Sequence, residues 1–118
     1  MPTEASIVAR ICANLKRLGI WFEKTHGSPY ERRGRPDLMV IMPKKPATLQ
    51  EPRQPGLVWL YFLEVKRPGE KATPLQEYRL KELRAAGAVA EVVTSCEEAA
   101  RILGLDAIQG VADAGHRV

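Results

Sequence analysis

The sequence predicts one domain of the α/β class, with a mixed β-sheet of the α+β kind packed against helices. Apolar residues recur at helical spacing between Ile7 and Leu18. Three runs rich in apolar, aromatic and β-branched residues follow, which is typical of a three-strand meander. A second helical segment then separates the third run from a fourth, as in a crossover to another strand of the same sheet.

The predicted elements begin and end at specific residue types. Thr3 is a suitable N-cap for the first helix, and Gly19 ends that helix. Thr73-Pro74-Leu75-Gln76 is a capping box with proline at the first helical position, and Gly87 ends this helix. Pro36–Met42 is apolar almost throughout, so we expect this strand to be buried on both faces. The expected order is αβββαβα, with helices at Thr3–Leu18, Thr73–Ala86 and Cys96–Leu103 and strands at Ile20–Thr25, Pro36–Met42, Leu57–Lys66 and Val89–Thr94.

Length and composition limit the kind of protein that the sequence can encode. The 118 residues give room for a single domain over 1–118, with its core at about 3–104 and a loosely held tail at 105–118. Apolar residues make up 45% and charged residues 27%, which excludes a disordered chain, a collagen-like repeat and a disulfide scaffold. Residues 44–56 carry three prolines and no periodicity, and we expect a long loop there.

The sequence carries no pattern of a membrane or secretory protein. Its longest uncharged apolar run, Leu57 to Leu63, is too short to cross a bilayer, and no signal-peptide pattern is present. Cys12 and Cys96 lack the spacing of a metal or redox motif, so we expect reduced, buried thiols. No phosphate-binding loop or dinucleotide fingerprint occurs. We therefore expect a cytoplasmic protein with no membrane partner and no nucleotide cofactor.

The positive charge is concentrated in one segment of the chain. The net charge is +4, and the nine basic and five acidic residues between Glu31 and Lys71 account for all of it. A segment of this kind is typical of a surface that binds a polyanion, most often a nucleic acid. Charge alone leaves open the alternative of a surface that only keeps the protein soluble.

Charged side chains interrupt the third apolar strand. With a period of two, Glu64 and Lys66 follow Phe62 on one face of the strand. Such a pair is either a salt bridge at a strand end or part of a metal site. Asp37 opens the preceding strand, and antiparallel pairing would bring it beside Glu64. Two converging carboxylates favour a hard cation such as Mg²⁺ or Mn²⁺, although Asp37 is also an ordinary turn residue after proline.

Two further polar residues share the apolar stripes of the helices. Glu4 lies in line with Ile7 and Ile11, which makes it a candidate metal ligand. Acidic residues also favour the first turn of any helix because of the helix dipole. Gln76 lies in line with Leu80 and would direct its amide at the sheet, but it also completes the capping box. Each residue therefore has a structural explanation beside the functional one.

Taken together, these residues resemble the VRR-NUC (virus-type replication and repair nuclease) family. Pro36-Asp37 followed by Glu64-Val65-Lys66 is similar to the PD-(D/E)xK nuclease signature. With Glu4 and Gln76 in the two helices, the resemblance extends from about Glu4 to Leu103. It implies a restriction-endonuclease-like αβββαβ core with a C-terminal helix. The stretch 44–56 is longer than the turn that the family needs at this point.

The resemblance also implies a metal-dependent DNA nuclease and a role for each motif residue. Lys66 would orient and help deprotonate the attacking water, and Gln76 would steady the water or the lysine. The catalytic residues would thus be Asp37, Glu64, Lys66 and Gln76. The ligands of Mg²⁺ or Mn²⁺ would be Glu4, Asp37, Glu64 and the backbone carbonyl of Val65. The DNA phosphates would lie along Arg32, Arg33, Arg35, Arg67 and Lys71.

The family resemblance extends to the substrate. The resemblance to stand-alone members of the family implies a homodimer that cuts four-way DNA junctions. We therefore expect a dimeric Holliday-junction resolvase that acts on branched DNA and comes from a phage or a mobile element. Three alternatives stay open. The first is a non-catalytic DNA-binding module on a nuclease fold. The second is a restriction-type or flap endonuclease. The third is a small interaction protein in which Glu64 and Lys66 form only a salt bridge.

Overall fold

The helices and strands follow the predicted order. A computed structural model describes residues 2–25, 33–43 and 58–105. Every boundary lies within two residues of its predicted position. No helix in these three ranges is long and apolar enough to cross a membrane. The predicted loop at 44–56 and residues 106–118 of the predicted tail lie outside the described ranges. The elements are α1 (Glu4–Arg17), β1 (Trp21–Lys24), β2 (Leu38–Pro43), β3 (Val58–Val65), α2 (Pro74–Ala85), β4 (Val89–Val93) and α3 (Cys96–Ile102).

The four strands form one mixed sheet in the order β1-β2-β3-β4. The pairs β1–β2 and β2–β3 are antiparallel, whereas β3–β4 is parallel. A parallel pair needs a long connection, and α2 supplies it between β3 and β4. The predicted meander, the crossover and the α+β-like mixed sheet are therefore confirmed.

Helices cover both faces of the sheet. On one face, Ile11 and Leu15 of α1 join α3 and the buried residues Leu38 and Val40 of β2 in the larger apolar cluster. On the other face, Leu80 of α2 belongs to a smaller cluster at β3 and β4. Burial of each such leucine contributes about 1.5–3 kcal/mol to folding.

Burial of β2 differs from the prediction. Leu38, Val40 and Met42 are buried, but Met39 and Ile41 on the opposite face are only half-buried. The reason is that α2 packs on β3 and β4. The expectation of burial on both faces is therefore wrong for β2.

The expected burial of both cysteines also needs correction. Both cysteines are free, but only Cys96 is buried, and Cys12 is half-buried. Leu105 is 4% exposed and its N–H donates to the carbonyl of Ala100 at 2.8 Å. The core therefore extends to the first residue of the predicted tail.

Gly34 lies in the turn that leads into β2 and packs closely against α2. Its φ is +79°, and a Cβ there would lie 2.7 Å from Cγ and 3.2 Å from the carbonyl oxygen of Leu75. Gly69 has a similar φ of +89° but has no atom within 4 Å of the same position. We expect Gly34→Ala to lower the free energy of unfolding by about 2–3 kcal/mol and Gly69→Ala by about 1 kcal/mol, measured by urea denaturation. Equal losses would show that contact with α2 adds nothing.

Candidate active site

The strand register brings Asp37 and Glu64 together at one end of the sheet. Leu38 of β2 pairs with Leu63 of β3, so the residue before β2 falls opposite the residue after Leu63. The side chains of Asp37 and Glu64 are in hydrogen-bond contact. Asp37 precedes β2 rather than opening it as expected. The two acids converge as antiparallel pairing predicts.

Backbone groups on both sides hold Asp37 in place. The N–H of Val65 donates to Oδ2 of Asp37 at 2.7 Å. The N–H of Thr25 donates to the carbonyl oxygen of Asp37 at 3.0 Å, and the Thr25 hydroxyl donates to the carbonyl oxygen of Pro36. The side chain of Val65 is buried in the core, so this residue reaches the acids through its backbone. The direction of the Asp37 carboxyl is thus fixed before any ligand binds.

Glu64 is a buried carboxyl group whose surroundings do not compensate its charge. The residue is 2% exposed, and its Oε1 has no hydrogen-bond partner within the described ranges. Burial, followed by the charge of Asp37, raises the pKa of Glu64 from its usual 4.5 to about 8, although Lys66 acts in the opposite direction. A buried, unsatisfied carboxylate is unfavourable, and a bound cation would relieve it.

Lys66 lies beside this carboxyl pair. Its Nζ is 3.9 Å from Oε2 of Glu64, and its side chain is largely buried. Its backbone N–H donates to the carbonyl oxygen of Val93 at 2.9 Å, which keeps residue 66 in line with β3. A separation of 3.9 Å is too long for a hydrogen bond. The Lys66 ammonium is therefore near Glu64 without a direct hydrogen bond to it.

Glu4 belongs to a second carboxyl pair, with Glu70. The hydrogen bond to Glu70 is the main cause that raises the pKa of Glu4, whereas hydrogen bonds from Arg67 lower the pKa of Glu70 to about 2. The backbone N–H and the guanidinium of Arg67 bind Glu70 at 2.9 and 3.0 Å. The two pKa values of this pair are therefore shifted in opposite directions. Sequence analysis missed Glu70 because it belongs to no motif.

The pair of Asp37 and Glu64 fits a hard divalent cation. Within residues 2–25, 33–43 and 58–105, no three Asp, Glu, His or Cys side chains lie close enough to surround a metal. Mg²⁺ needs only one or two carboxylates, because water and substrate phosphate oxygens complete its octahedral shell. The unsatisfied Oε1 of Glu64 beside Asp37 is a donor of the required chemistry. Within the described ranges Glu4 does not form a group of three ligands with these two acids, although the charge of Asp37 contributes to the raised pKa of Glu4.

Gln76 is engaged in the N-terminal cap of α2. Its Oε1 accepts a hydrogen bond from the N–H of Thr73 at 2.8 Å, and its own N–H donates to Oγ1 of Thr73 at 3.2 Å. These two bonds are the predicted capping box. A role of Gln76 in catalysis stays a prediction.

Two substitutions separate the cap from that catalytic role. Gln76→Glu keeps an acceptor oxygen for Thr73, whereas Gln76→Ala loses the cap and about 1 kcal/mol of stability. If Gln76 steadies the attacking water, we expect the stable Gln76→Glu protein to cleave DNA at least about tenfold more slowly than wild type in a single-turnover assay. An unchanged rate would restrict Gln76 to the cap.

The basic residues predicted to contact DNA differ in their surroundings. The side chain of Arg67 is half-exposed and bonded to Glu70. Arg32 lies outside the described residues. The exposed residues of the set, within the described ranges, are Arg33, Arg35, Arg67 and Lys71.

A cleft of about 360 Å³ lies next to the acids, between the first turns of α1 and the end of β1. Lys24 provides a positive side chain in this cleft. Sequence analysis missed Lys24 because it lies outside the basic segment, and only its pairing with Leu38 places it next to Asp37. The cleft is lined by Glu4, Ala5, Val8, Ala9, Lys24 and Asp37.

Comparison with known proteins gives the same fold. No family model matches the sequence, and no curated protein does. The structure is similar to a solved "VRR_NUC domain" with a TM-score of 0.60 and 25% identity, over 88% of this chain and 95% of that chain. It is also similar to a solved "VRR_NUC domain protein" with a TM-score of 0.64 and 19% identity, over 88% and 87% of the two chains. The chain therefore has the fold of these VRR-NUC domain structures, and the resemblance found in its motifs is confirmed.

Proposed function

We propose that the chain is a Mg²⁺- or Mn²⁺-dependent DNA endonuclease with Asp37, Glu64 and Lys66 at its catalytic centre. The observation that carries the proposal is the Glu64 carboxyl, which is buried against Asp37 and leaves one oxygen unsatisfied. Two neighbouring carboxyl groups of which one is buried do not stabilise a fold by themselves. A divalent cation between the two carboxylates would explain why they lie together.

Each residue has one task in this proposal. Asp37, Glu64 and the backbone carbonyl of Val65 would hold the cation, and Glu4 would join them directly or through water. When bound, the cation neutralises the phosphate and lowers the pKa of nearby water. Lys66 would donate hydrogen bonds that orient the attacking water and would stabilise the hydroxide that forms, so that the proton of this water passes to solvent. Water would then attack phosphorus in line with the departing 3′ oxygen, which takes up a proton from solvent.

The exposed cations would hold the DNA by its phosphates. Arg33 and Arg35 lie just before Asp37 in the chain, and Lys71 follows β3, so positive side chains precede and follow the acids. Contacts to phosphates position DNA without reading its sequence. We infer that the chain recognises the form of the DNA rather than a base sequence, with an affinity that falls steeply as salt is raised.

We also propose that two copies act together on a four-way junction. By register, Trp21, Ile41 and Leu60 lie in one row on the sheet, and Trp21 is 50% exposed. Ile41 and Leu60 are partly buried, so the exposed Trp21 is the part of this row that a second copy would cover. A two-fold dimer has two identical sites and can nick two strands of one junction. We expect Trp21→Lys to give a monomer in light scattering and single nicks in place of paired ones.

Cleavage of labelled DNA tests the proposed activity. A four-way junction, a matched linear duplex, a flap and a single strand would be incubated with Mg²⁺, with Mn²⁺ and with EDTA. We expect paired symmetric nicks in the junction that EDTA abolishes. Sequence-defined cuts in the duplex would favour a restriction-type enzyme, and cuts at the flap a flap endonuclease. DNA binding without any cleavage would leave a non-catalytic binding module.

A further inference from the structure

Arg79 of α2 is tied to the segment that carries Asp37. Its Nε donates to the carbonyl oxygen of Arg33 at 3.0 Å. Its Nη1 binds Oε1 of Glu82 at 2.9 Å, and the guanidinium lies 5.4 Å from the ring centre of Tyr78. The side chain is 19% exposed, so these contacts are largely shielded from solvent. The Arg33 carbonyl, Glu82 and Tyr78 thus hold the Arg79 guanidinium in one position, and its Nε is hydrogen-bonded to the backbone carbonyl.

The segment bound by Arg79 is short and leads directly to the site. We call residues 33–37 the Asp37 segment. Gly34, its second residue, packs against Leu75 and Arg79 of α2, and Pro36 is fully buried. At its far end, Asp37 accepts the hydrogen bond from Val65. Five residues held at both ends have little freedom, so a displacement of the Arg33 carbonyl would be passed on to the Asp37 carboxyl.

We propose that Arg79 is a positioning residue that sets the Asp37 carboxyl relative to Glu64 by fixing the start of the Asp37 segment on α2. The consequence for metal binding and cleavage rests on the proposed nuclease function. The positioning itself does not, because the hydrogen bonds exist in the metal-free chain. Residues that orient metal ligands in this indirect way typically affect metal affinity by about ten- to a hundredfold.

Arg84 offers a matched control on the same helix. Its Nε donates to the carbonyl oxygen of Ala90 at 2.8 Å, and its guanidinium pairs with Glu91 at 3.8 Å. Arg84 therefore ties α2 to β4 with the same chemistry, but it does not contact the Asp37 segment. Arg79→Gln and Arg84→Gln each remove one such tie. Arg79→Lys keeps the charge for Glu82 and loses the planar fork of donors.

Two measurements on these variants test the proposal. The first is amide hydrogen exchange of Val65 in the metal-free protein, with Asp37→Ala as the reference for a lost hydrogen bond. The second is Mn²⁺ affinity by isothermal titration. We expect Arg79→Gln to speed exchange at Val65 and to weaken Mn²⁺ binding about tenfold. We expect Arg84→Gln to leave both near wild type, and Arg79→Lys to resemble Arg79→Gln.

The outcomes separate the two proposals. Equal exchange at Val65 in Arg79→Gln and Arg84→Gln would overturn the positioning role and leave Arg79 as an ordinary tie between α2 and a loop. If the wild-type protein binds no Mn²⁺ and cuts no DNA, the nuclease proposal fails. Selectively faster exchange at Val65 in Arg79→Gln would even then support the positioning role.

Discussion

Replacement of Lys66 by alanine is expected to lower kcat for DNA cleavage by about a hundred- to ten-thousandfold while DNA binding changes little. The reason is the position of the ammonium group, which lies 3.9 Å from Glu64 without a hydrogen bond to it. Because both side chains are largely buried, loss of the ammonium is also expected to destabilise the fold wherever Glu64 is ionised. The catalytic role of Lys66 should appear in the chemical step of the protein that remains folded.

The experiment compares single-turnover cleavage of the wild type with that of Lys66→Ala at saturating DNA and Mg²⁺. Lys16→Ala is the matched control, because Lys16 lies in the last turn of α1, at the opposite end of the helix from Glu4. Thermal unfolding of all three proteins shows whether the fold is retained. A Lys66→Ala protein that keeps the wild-type kcat would remove Lys66 from the catalytic centre and leave it as a partner of Glu64.

Most of the fold follows from local patterns in the sequence. The capping residues Thr3 and Thr73 mark the beginnings of α1 and α2 because a hydroxyl at this position satisfies free N–H groups whatever surrounds the helix. The burial of β2 was harder to predict. Met39 and Ile41 are as apolar as buried strand residues, and only the placement of α2 over β3 and β4 leaves them half-exposed. That placement is tertiary information.

The candidate site follows from the sequence to a smaller extent. Asp37, Glu64 and Lys66 were found because charged residues interrupt apolar strands, and the strand register then brings them together. Glu70, Lys24 and Arg79 left no such trace. Each of them has an ordinary polar neighbourhood in the sequence, and its partner lies on a different element. Residues that act through tertiary contacts carry no periodic pattern for sequence analysis to detect.

The stability of the metal-free protein should fall as the pH rises from about 4.5 to about 8, because of Glu64. Burial and the charge of Asp37 raise the pKa of Glu64 from 4.5 to about 8 in the folded chain. The folded state therefore binds this proton more tightly than the unfolded state. The resulting stabilisation is fully present below pH 4.5 and is lost as the pH rises through about 8. At about 1.4 kcal/mol per pKa unit, the loss is on the order of a few kcal/mol.

Glu64→Gln removes this ionisation and keeps the shape of the side chain. We expect the metal-free Glu64→Gln protein to be more stable than wild type at pH 8, and the difference to vanish near pH 4, in thermal unfolding followed by circular dichroism. Glu77→Gln, a substitution on the exposed first turn of α2, should follow the wild-type curve. Parallel curves for wild type and Glu64→Gln would show that folding does not raise the pKa of Glu64.

Addition of Mg²⁺ connects this pH dependence with the proposed site. A cation between Asp37 and Glu64 favours the ionised carboxylate, so it offsets the unfavourable burial that the metal-free protein shows at high pH. We expect Mg²⁺ to raise the Tm of the wild type more at pH 8 than at pH 5, and to leave the Tm of Glu64→Gln nearly unchanged. An equal rise in both proteins would place the cation elsewhere. On this expectation, the Glu64 carboxyl that destabilises the metal-free protein near neutral pH is also the group that binds the cation at that pH.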